Sequence, residues 1–328
     1  MIIKYLVIIL TSMFLISCDD GENSIIDKKY KVGVISGVDF FEPTIAGFKA
    51  EMTVYGYREG KNIQYDIRKA KGNDEEMKRI SEDFVAQKVD LIFTTTNGAA
   101  IAAKNAAVSS GIPIVFTLVM APVETGVVDS LIEPSGNITG VRNPLGEFIG
   151  KRLEILKQLA PSVKKILILN NPNYPTVPIA FKGLRAGAKY LDLQLIDVPV
   201  TKPAQVTHYL SNVKKGEFDA ILIMPDPIVQ VEESLKAIHM AAKRFNIPIV
   251  ANTPKQAENG ALFSYLADSY ETGKEAAQLA NNVLAKRIRH SLPVISSEPQ
   301  LILNLNVARK LNLKVDESLI ALSQRVID

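Results

Sequence analysis

The chain has one cysteine, three histidines and no tryptophan among its 328 residues. A single cysteine excludes an intramolecular disulfide, and it also excludes a zinc site built from several thiolates. The histidines His208, His239 and His290 are scattered and form no metal-binding spacing. We therefore expect no bound metal ion.

The motifs of the common α/β enzymes are also missing. No G-x-G-x-x-G follows a predicted strand, no Walker A sequence is present, and no G-x-S-x-G elbow is found. A catalytic triad needs a positioned histidine, and no histidine follows a predicted strand. We therefore expect that the chain is not an enzyme and that it uses no cofactor.

The charge of the chain is weak, with a formal net charge of +3 and no dense stripe of Lys and Arg. Nucleic acid is therefore not an expected partner. Hydrophobic residues make up 47% of the chain, which is enough for sizeable cores. The length exceeds one average domain and suggests two lobes.

The N-terminus carries a short hydrophobic run behind Lys4, in residues 5–16. This run is too short to span a bilayer comfortably and is typical of an export signal. It ends in L-I-S-C at Cys18, which resembles the bacterial lipobox. The one cysteine of the chain thus stands where a diacylglyceryl group would be attached.

Residues 1–18 are therefore predicted to form a lipoprotein signal peptide, with Cys18 as the lipidation site and residues 19–29 as a polar tether. Acyl chains anchor a protein because each buried methylene contributes about 0.8 kcal/mol. Asp19 resembles the signal for retention in the inner membrane of a host with two membranes. An ordinary signal peptide or an uncleaved anchor, with an incidental cysteine, is the alternative.

The remaining chain alternates short apolar strands with amphipathic helices, which indicates a parallel sheet covered on both faces. The pattern occurs twice. The sequence I-P-I-V appears at residues 112–115 and again at residues 247–250, and D-L-I at residues 90–92 is echoed by D-A-I at residues 219–221. Such echoes in the same order predict two lobes of similar topology.

The predicted strands end in polar residues, although their interiors are apolar. Open parallel sheets bind ligands beyond the carboxyl ends of their strands, so this contrast predicts a ligand cleft between the lobes. The predicted ligand-binding residues are Asp39, Phe40, Thr95, Thr96, Asn97, Gly98, Thr117, Asn171, Tyr174, Asp226, Asn252, Tyr265 and Asp268.

Several of these residues also have a structural interpretation. The backbone N–H groups near Thr96, Asn97 and Gly98 suit a carboxylate at a helix N-terminus, although Thr96 or Asn97 can equally cap that helix. Asp226 and Asp268 can each face a ligand ammonium, or act as a turn residue and a helix cap respectively.

Two aromatic residues can likewise have either a ligand-binding or a structural role. Phe40 and Tyr174 can stack on a ligand ring, or serve as a core residue and a loop cover.

At this point the chain resembles the substrate-binding lipoproteins of ABC transporters with the type I periplasmic-binding fold, and among them the group that includes binders of tryptophan and related aromatic amino acids. The resemblance covers residues 30–328. The residues that carry it are G-Y-R-E-G-K-N at 56–62, V-D-L-I at 89–92, I-P-I-V-F at 112–116, G-N-I-T-G-V at 136–141, G-K-E-A-A at 273–277 and N-L-N-V-A at 304–308.

The resemblance implies two Rossmann-like doubly wound parallel-sheet lobes joined by three crossings. It places residues 30–142 and 265–292 in the N-terminal lobe and residues 143–264 and 293–328 in the C-terminal lobe. The crossings are expected near residues 141–144, 263–267 and 291–299.

The resemblance also implies a function. The chain would capture a small solute outside the cytoplasm and deliver it to the permease and ATPase subunits of an importer. The solute expected from this group is an aromatic amino acid. The absence of tryptophan argues against a sugar. A solute-sensing receptor of the same fold, or a receptor for a nucleoside or vitamin-like solute, is the alternative.

The chain departs from the family in two segments. Ala121 stands before Pro122 where the family usually has an acidic residue, and residues 38–43 differ from the commoner histidine-containing form. Both segments are expected to border the cleft, so they bear on the choice of solute.

Overall fold

The computed structural model describes residues 28–37, 42–174, 177–285 and 292–328. The strands are β1 (Tyr30–Ser36), β2 (Ile63–Lys69), β3 (Leu91–Thr95), β4 (Ile114–Val119), β5 (Ile138–Arg142), β6 (Lys165–Asn170), β7 (Gln194–Pro199), β8 (Ala220–Leu222), β9 (Ile249–Ala251), β10 (Phe263–Ala267), β11 (Ile295–Ser296), β12 (Pro299–Asn304) and β13 (Arg325–Ile327). Cys18, Asp39 and Phe40 lie outside the described residues.

The helices alternate with these strands along most of the chain. They are α1 (Glu42–Val54), α2 (Asp74–Ala86), α3 (Asn97–Ala107), α4 (Leu145–Leu159), α5 (Val177–Tyr190), α6 (Pro203–Asn212), α7 (Pro227–Gln230), α8 (Glu232–Phe245), α9 (Pro254–Glu258), α10 (Ser269–Leu284), α11 (Leu305–Lys310) and α12 (Glu317–Leu322). Within the described ranges, no helix has both the length and the apolar composition needed to cross a membrane.

The strands form two sheets, as the duplicated pattern predicts. The first sheet has the order β2-β1-β3-β4-β5-β11 and is parallel throughout. The second has the order β7-β6-β8-β9-β10-β12-β13. It is parallel except that β12 runs antiparallel to β10. The prediction of two doubly wound lobes is confirmed, with one antiparallel pair added to the second lobe.

Apolar side chains cover both faces of each sheet. In the first lobe, α1 and α10 pack on one face and α2 and α3 on the other. In the second lobe, α4 and α5 cover one face and α6 and α8 the other. Strands that are buried on both faces need continuous apolar sequences. The interior strands of these sheets therefore do not alternate apolar with polar residues.

The sequence echoes occupy equivalent places in the two lobes. Asp90 Oδ2 accepts a 2.8 Å hydrogen bond from the backbone N–H of Lys31, at the start of the first sheet. Asp219 Oδ2 accepts the corresponding bond from the N–H of Lys165, also at 2.8 Å. In each lobe an aspartate thus joins the beginnings of the two central strands.

The chain crosses between the sheets at the carboxyl ends of strands. It leaves β5 at Arg142 and enters α4 of the second lobe, and it leaves β10 at Ala267 and enters α10 of the first lobe. It then leaves β11 after Ser296 and joins β12, which runs antiparallel to β10. Because all three crossings join carboxyl ends, the polar edges of the two sheets face each other.

Two of the expected lobe boundaries differ from the structure by a few residues. The whole of β10 belongs to the second sheet, so the first lobe resumes after Ala267 and not at residue 265. Strand β11 pairs with β5 of the first sheet, so the final segment of the second lobe begins after Ser296 and not at residue 293. Both boundaries fall beside strands whose pairing partners are distant in sequence, and a local pattern does not reveal such partners.

Close contact of α1 and α10 holds the first lobe together around the second crossing. A Cβ atom at Gly273 of α10 would lie 2.0 Å from the carbonyl oxygen of Thr44 and 2.8 Å from the backbone nitrogen of Phe48, both in α1. No side chain can occupy that space, because backbone atoms cannot rotate away. Glycine at this position therefore sets the separation of the two helices.

We expect Gly273→Ala to destabilise the protein by about 1–3 kcal/mol, because the two helices must move apart to admit the methyl group. Gly150→Ala in α4 is the matched control, since the nearest atom to its added Cβ is 4.0 Å away. The control should gain up to about 1 kcal/mol from helix propensity. Urea denaturation followed by circular dichroism measures both, and equal stability of the two variants would contradict the packing argument.

Candidate functional site

The end of β3 forms the centre of the first-lobe rim and has a strained backbone. Thr96 has φ of 90° and ψ of 155°, a conformation that costs a β-branched residue about 1–3 kcal/mol. Its N–H donates to the carbonyl of Thr117, and its Oγ1 accepts a 3.4 Å bond from the N–H of Ala99. Thr96 thus caps α3 and turns the chain sharply at the sheet edge.

The first residues of α3 present backbone donors at this edge. The N–H groups of Asn97 and Gly98 have no acceptor in the part of the chain that the structure describes, as is usual at a helix start. The side chain of Asn97 is already engaged, because it donates to Thr125 Oγ1 at 2.8 Å and accepts from the N–H of Met120 at 3.3 Å. Asn97 therefore offers its backbone to the cleft and uses its side chain to hold the loop after β4.

Two threonines lie side by side near the carboxyl ends of β3 and β4. Thr95 pairs in register with Thr117, and both are fully buried. The Thr95 hydroxyl accepts a 3.1 Å bond from the N–H of Gly37, whereas the Thr117 hydroxyl has no partner among the described residues. Buried hydroxyls are normally satisfied, so the Thr117 oxygen marks a place where the rim has unused hydrogen-bonding capacity.

On the opposite rim, Asp226 is committed to the protein itself. It is fully buried, its Oδ2 accepts a bond from the N–H of Asn171, and its Oδ1 accepts a 2.8 Å bond from the N–H of Ile228. These bonds hold the loop after β6 and cap α7. These bonds favour the turn role of Asp226. Its role in binding a ligand ammonium stays a prediction.

Tyr174 lies in the loop that Asp226 holds. It is half-buried and packs against the hydrophobic core of the second lobe. Burial, and next the negative charge of Asp226, raise the pKa of the Tyr174 phenol. The hydroxyl therefore stays protonated at neutral pH and can donate a hydrogen bond in the cleft.

Asp268 lies at the second crossing, where α10 begins. Its Oδ1 accepts bonds from the N–H groups of Tyr270 and Glu271, at 2.8 and 3.1 Å. Its Oδ2 has no partner within the described ranges, and the residue is only half-buried. The predicted helix cap is thus present, and one carboxylate oxygen remains free at the hinge between the lobes.

Strand β9 ends beside a buried cation that the sequence reasoning did not identify. Arg152 of α4 is fully buried, and it donates from Nε to the carbonyl oxygen of Tyr265 at 2.8 Å and from Nη2 to Asn252 Oδ1 at 3.2 Å. Burial lowers the pKa of Arg152 to about 9, so the guanidinium is still charged at neutral pH. Arg152 joins two predicted ligand residues, Asn252 and Tyr265.

A sequence signal for Arg152 existed. It lies on the helix face that carries Phe148, Ile149 and Leu156, all of which are buried. A charged residue within such an apolar stripe is unusual, because a charge is seldom buried without a partner. The predicted site list took residues only from strand ends and crossings, so it omitted a helix residue.

The structure also contains a groove of about 660 Å³ beside the cleft. The loop after β4, including Met120 and Ala121, forms one wall, and α4 and α5 form the other. None of the predicted ligand residues lines it. The groove therefore contains Ala121 and borders the loop that Asn97 holds.

The comparison with known proteins decides the family. Residues 31–327 match the family of ABC transporter substrate binding proteins. The chain belongs to this family. Its two lobes have the type I periplasmic-binding fold, and as a substrate-binding protein of an ABC transporter it acts outside the cytoplasm on small solutes and is not an enzyme.

Individual relatives agree with this assignment. The chain is 30% identical over 269 residues to a tyrosine-binding protein of Clostridioides difficile (strain R20291). The aligned region covers 82% of this chain and 76% of the relative.

Two solved structures share the fold. One is a Streptococcus pneumonia domain in complex with L-Trp, with a TM-score of 0.74, 21% identity and coverage of 92% of this chain and 100% of that one. The other is the ligand-free, open structure of a Clostridium difficile substrate-binding protein with adhesive properties, with a TM-score of 0.74, 24% identity and coverage of 91% and 99%.

The crossings of this substrate-binding protein contain a buried carboxyl group. Glu275 of α10 accepts a 3.3 Å bond at Oε1 from the N–H of Glu298 in the third crossing, and its Oε2 is buried without a partner among the described residues. Burial first, and then the charges of Glu298 and Glu271, raise the pKa of Glu275 to about 7. Glu275 is therefore protonated in acid and charged at mildly alkaline pH.

We expect the stability of the protein to depend on pH through Glu275. Its pKa is raised in the folded state, so its contribution is fully present below about pH 4.5 and is lost as the pH rises through about 7. Glu275→Gln should therefore lose less stability than the wild type between pH 5 and pH 8. Glu232→Gln, at an exposed position of α8, should behave like the wild type. Thermal melts across this range measure the effect, and parallel curves for wild type and Glu275→Gln would refute it.

Proposed function

We propose that this ABC substrate-binding protein captures an aromatic amino acid between its lobes and delivers it to the permease. The strongest support is the 30% identity to a tyrosine-binding protein across most of the chain. The polar groups of the two rims are of the kinds that a zwitterion needs, since they include N–H donors and a carboxylate oxygen that have no partner among the described residues.

Each part of such a solute has a counterpart in the cleft. The ammonium faces Asp268, because one oxygen of this carboxylate caps α10 and the other has no partner within the described ranges. The carboxylate lies near the unpaired N–H groups of Asn97 and Gly98, where the helix dipole also favours an anion. The aromatic ring packs against the half-buried Tyr174 and Tyr265, and a pair of stacked rings contributes about 0.5–1.5 kcal/mol beyond burial.

The solute assignment is tested by calorimetry on the purified protein with tyrosine, tryptophan and phenylalanine. We expect one of them to bind with a dissociation constant of about 1 μM or less, which corresponds to about −8 kcal/mol. Ribose and myo-inositol serve as neutral comparison solutes and should give no heat. Binding of a nucleoside or vitamin, with none of the three amino acids bound, would reject the assignment and leave the family unchanged.

The role of Asp268 is tested by Asp268→Asn, which keeps the capping oxygen and removes the charge. Binding of the aromatic amino acid should weaken by about 2–5 kcal/mol, because the bound solute covers the charge pair and the ammonium then loses its charged partner. Asp316→Asn is the matched control, since Asp316 caps α12 by the same kind of bond, from the N–H of Ser318 at 2.8 Å. An unchanged affinity in Asp268→Asn would exclude Asp268 as the ammonium partner.

The same proposal includes a lipid anchor at Cys18 that holds the protein at the outer face of the membrane. The support is the L-I-S-C sequence and the absence of any other cysteine in the chain. Replacing Cys18 with Ser should release the protein from the membrane fraction of the cells or leave its signal peptide uncleaved. A Cys18→Ser variant that is processed and remains in the membrane like its parent would refute lipidation.

A further inference from the structure

Arg152 carries a positive charge that nothing in the described part of the chain balances. No Asp or Glu of the described residues forms an ion pair with it, whereas the surface arginines Arg68 and Arg79 each have acidic partners. Its two hydrogen bonds go to neutral oxygens, of Tyr265 and Asn252. The third nitrogen, Nη1, is buried and has no partner among the described residues.

This charge lies at the edge of the sheet that faces the other lobe. Asn252 is the first residue after β9, and Ser264 of β10 pairs with Ala251, so Tyr265 stands level with Asn252. The guanidinium bonds to both of them and is therefore at the carboxyl edge, on the side covered by α4. Phe148 lies one turn earlier on α4, with its ring edge-on to that of Tyr265 at 5.9 Å.

An isolated cation in such a position is costly. Moving a charge from water into the protein interior costs several kcal/mol unless an opposite charge or a full set of hydrogen bonds compensates. A buried arginine with an unpaired nitrogen at the edge of a binding cleft is thus half of an ion pair. None of the described residues supplies an anion to pair with it, and the carboxylate of a solute can do so.

The orientation of Asn252 supports the same conclusion. Its Oδ1 accepts from Arg152 and its backbone N–H donates to Gln256 Oε1 at 2.8 Å. The amide group of the side chain therefore turns its Nδ2 donor away from Arg152, and this donor has no acceptor within the described residues. Arg152 and Asn252 together offer donors and no acceptor, which suits a carboxylate.

We propose that Arg152 is the cationic residue that recognises the carboxylate of the bound solute, with Asn252 held by it as a second donor to the same group. The inference rests on the proposed function, since it requires a solute with a carboxylate. It adds a charged partner from the second lobe to the neutral N–H donors of α3 in the first lobe. A carboxylate held from both lobes would couple binding to the approach of the two rims.

The test compares tyrosine with tyramine, and tryptophan with tryptamine, which lack only the carboxylate. We expect the wild type to bind the amino acid at least about 30-fold more tightly than the amine. In Arg152→Met this ratio should fall to about 3-fold or less, because the variant no longer distinguishes the carboxylate. Arg244→Met is the matched control, since Arg244 donates to the carbonyl of Leu210 at the end of α6, away from the rims. It should keep the wild-type ratio.

The outcomes separate this inference from the proposed function. If no aromatic amino acid binds the wild type, the proposed function fails. If the wild type then binds a solute that has no carboxylate, the role of Arg152 is overturned as well. If an aromatic amino acid binds but Arg152→Met keeps the wild-type ratio, only the role of Arg152 is overturned. Should Arg152→Met fail to fold, the wild type can still contradict the inference, because equal affinity for tyrosine and tyramine would exclude any charged partner for the carboxylate. Arg152→Lys, which keeps the charge, should retain part of the ratio.

Discussion

The geometry of parallel strands is the constraint on which the rest of this structure depends. A parallel strand can be followed by another only after the chain has returned along a crossover connection, usually a helix, so the carboxyl ends of neighbouring strands collect at one edge of the sheet. In this chain all three crossings between the lobes also leave from that edge. The result is that two polar edges face each other. The residues proposed to contact the solute lie at these facing edges or pack directly against them.

The interior of each lobe and its edge follow different rules of hydrogen bonding. Inside the sheets, apolar side chains pack on both faces and the strands bond to one another. At the edges, strain and unpaired groups accumulate: Thr96 has a left-handed φ, the Thr117 hydroxyl lacks a partner among the described residues, and Arg152 is charged without a counter-ion there. Native proteins tolerate such costs where function requires them. Their concentration at the facing edges agrees with a site that a solute completes.

The second and third crossings between the lobes carry polar groups of their own. The second crossing contains Asp268, which caps α10 and keeps one oxygen free, and the third contains the backbone amide that bonds to Glu275. Charged and titratable groups therefore stand at the points about which the lobes would move.

The sequence by itself determined the alternation of strands and helices, the duplication and the polar strand ends, because each depends on short-range patterns of hydrophobicity. The aspartates that begin β3 and β8 are an example, since their echo predicted equivalent positions and the structure confirms it. The pairing of β11 with the first sheet and the antiparallel course of β12 were decided only by tertiary structure, because their partners are far away in sequence. The same holds for the site. Asp226 and Asp268 each follow a strand in the sequence. In the structure, backbone N–H groups bind both oxygens of Asp226, whereas Oδ2 of Asp268 has no partner among the described residues. The sequence shows Arg152 only as a charge on an apolar helix face. The fold decides that it is buried at a strand end without an acidic partner among the described residues, since burial and partners are properties of the folded chain.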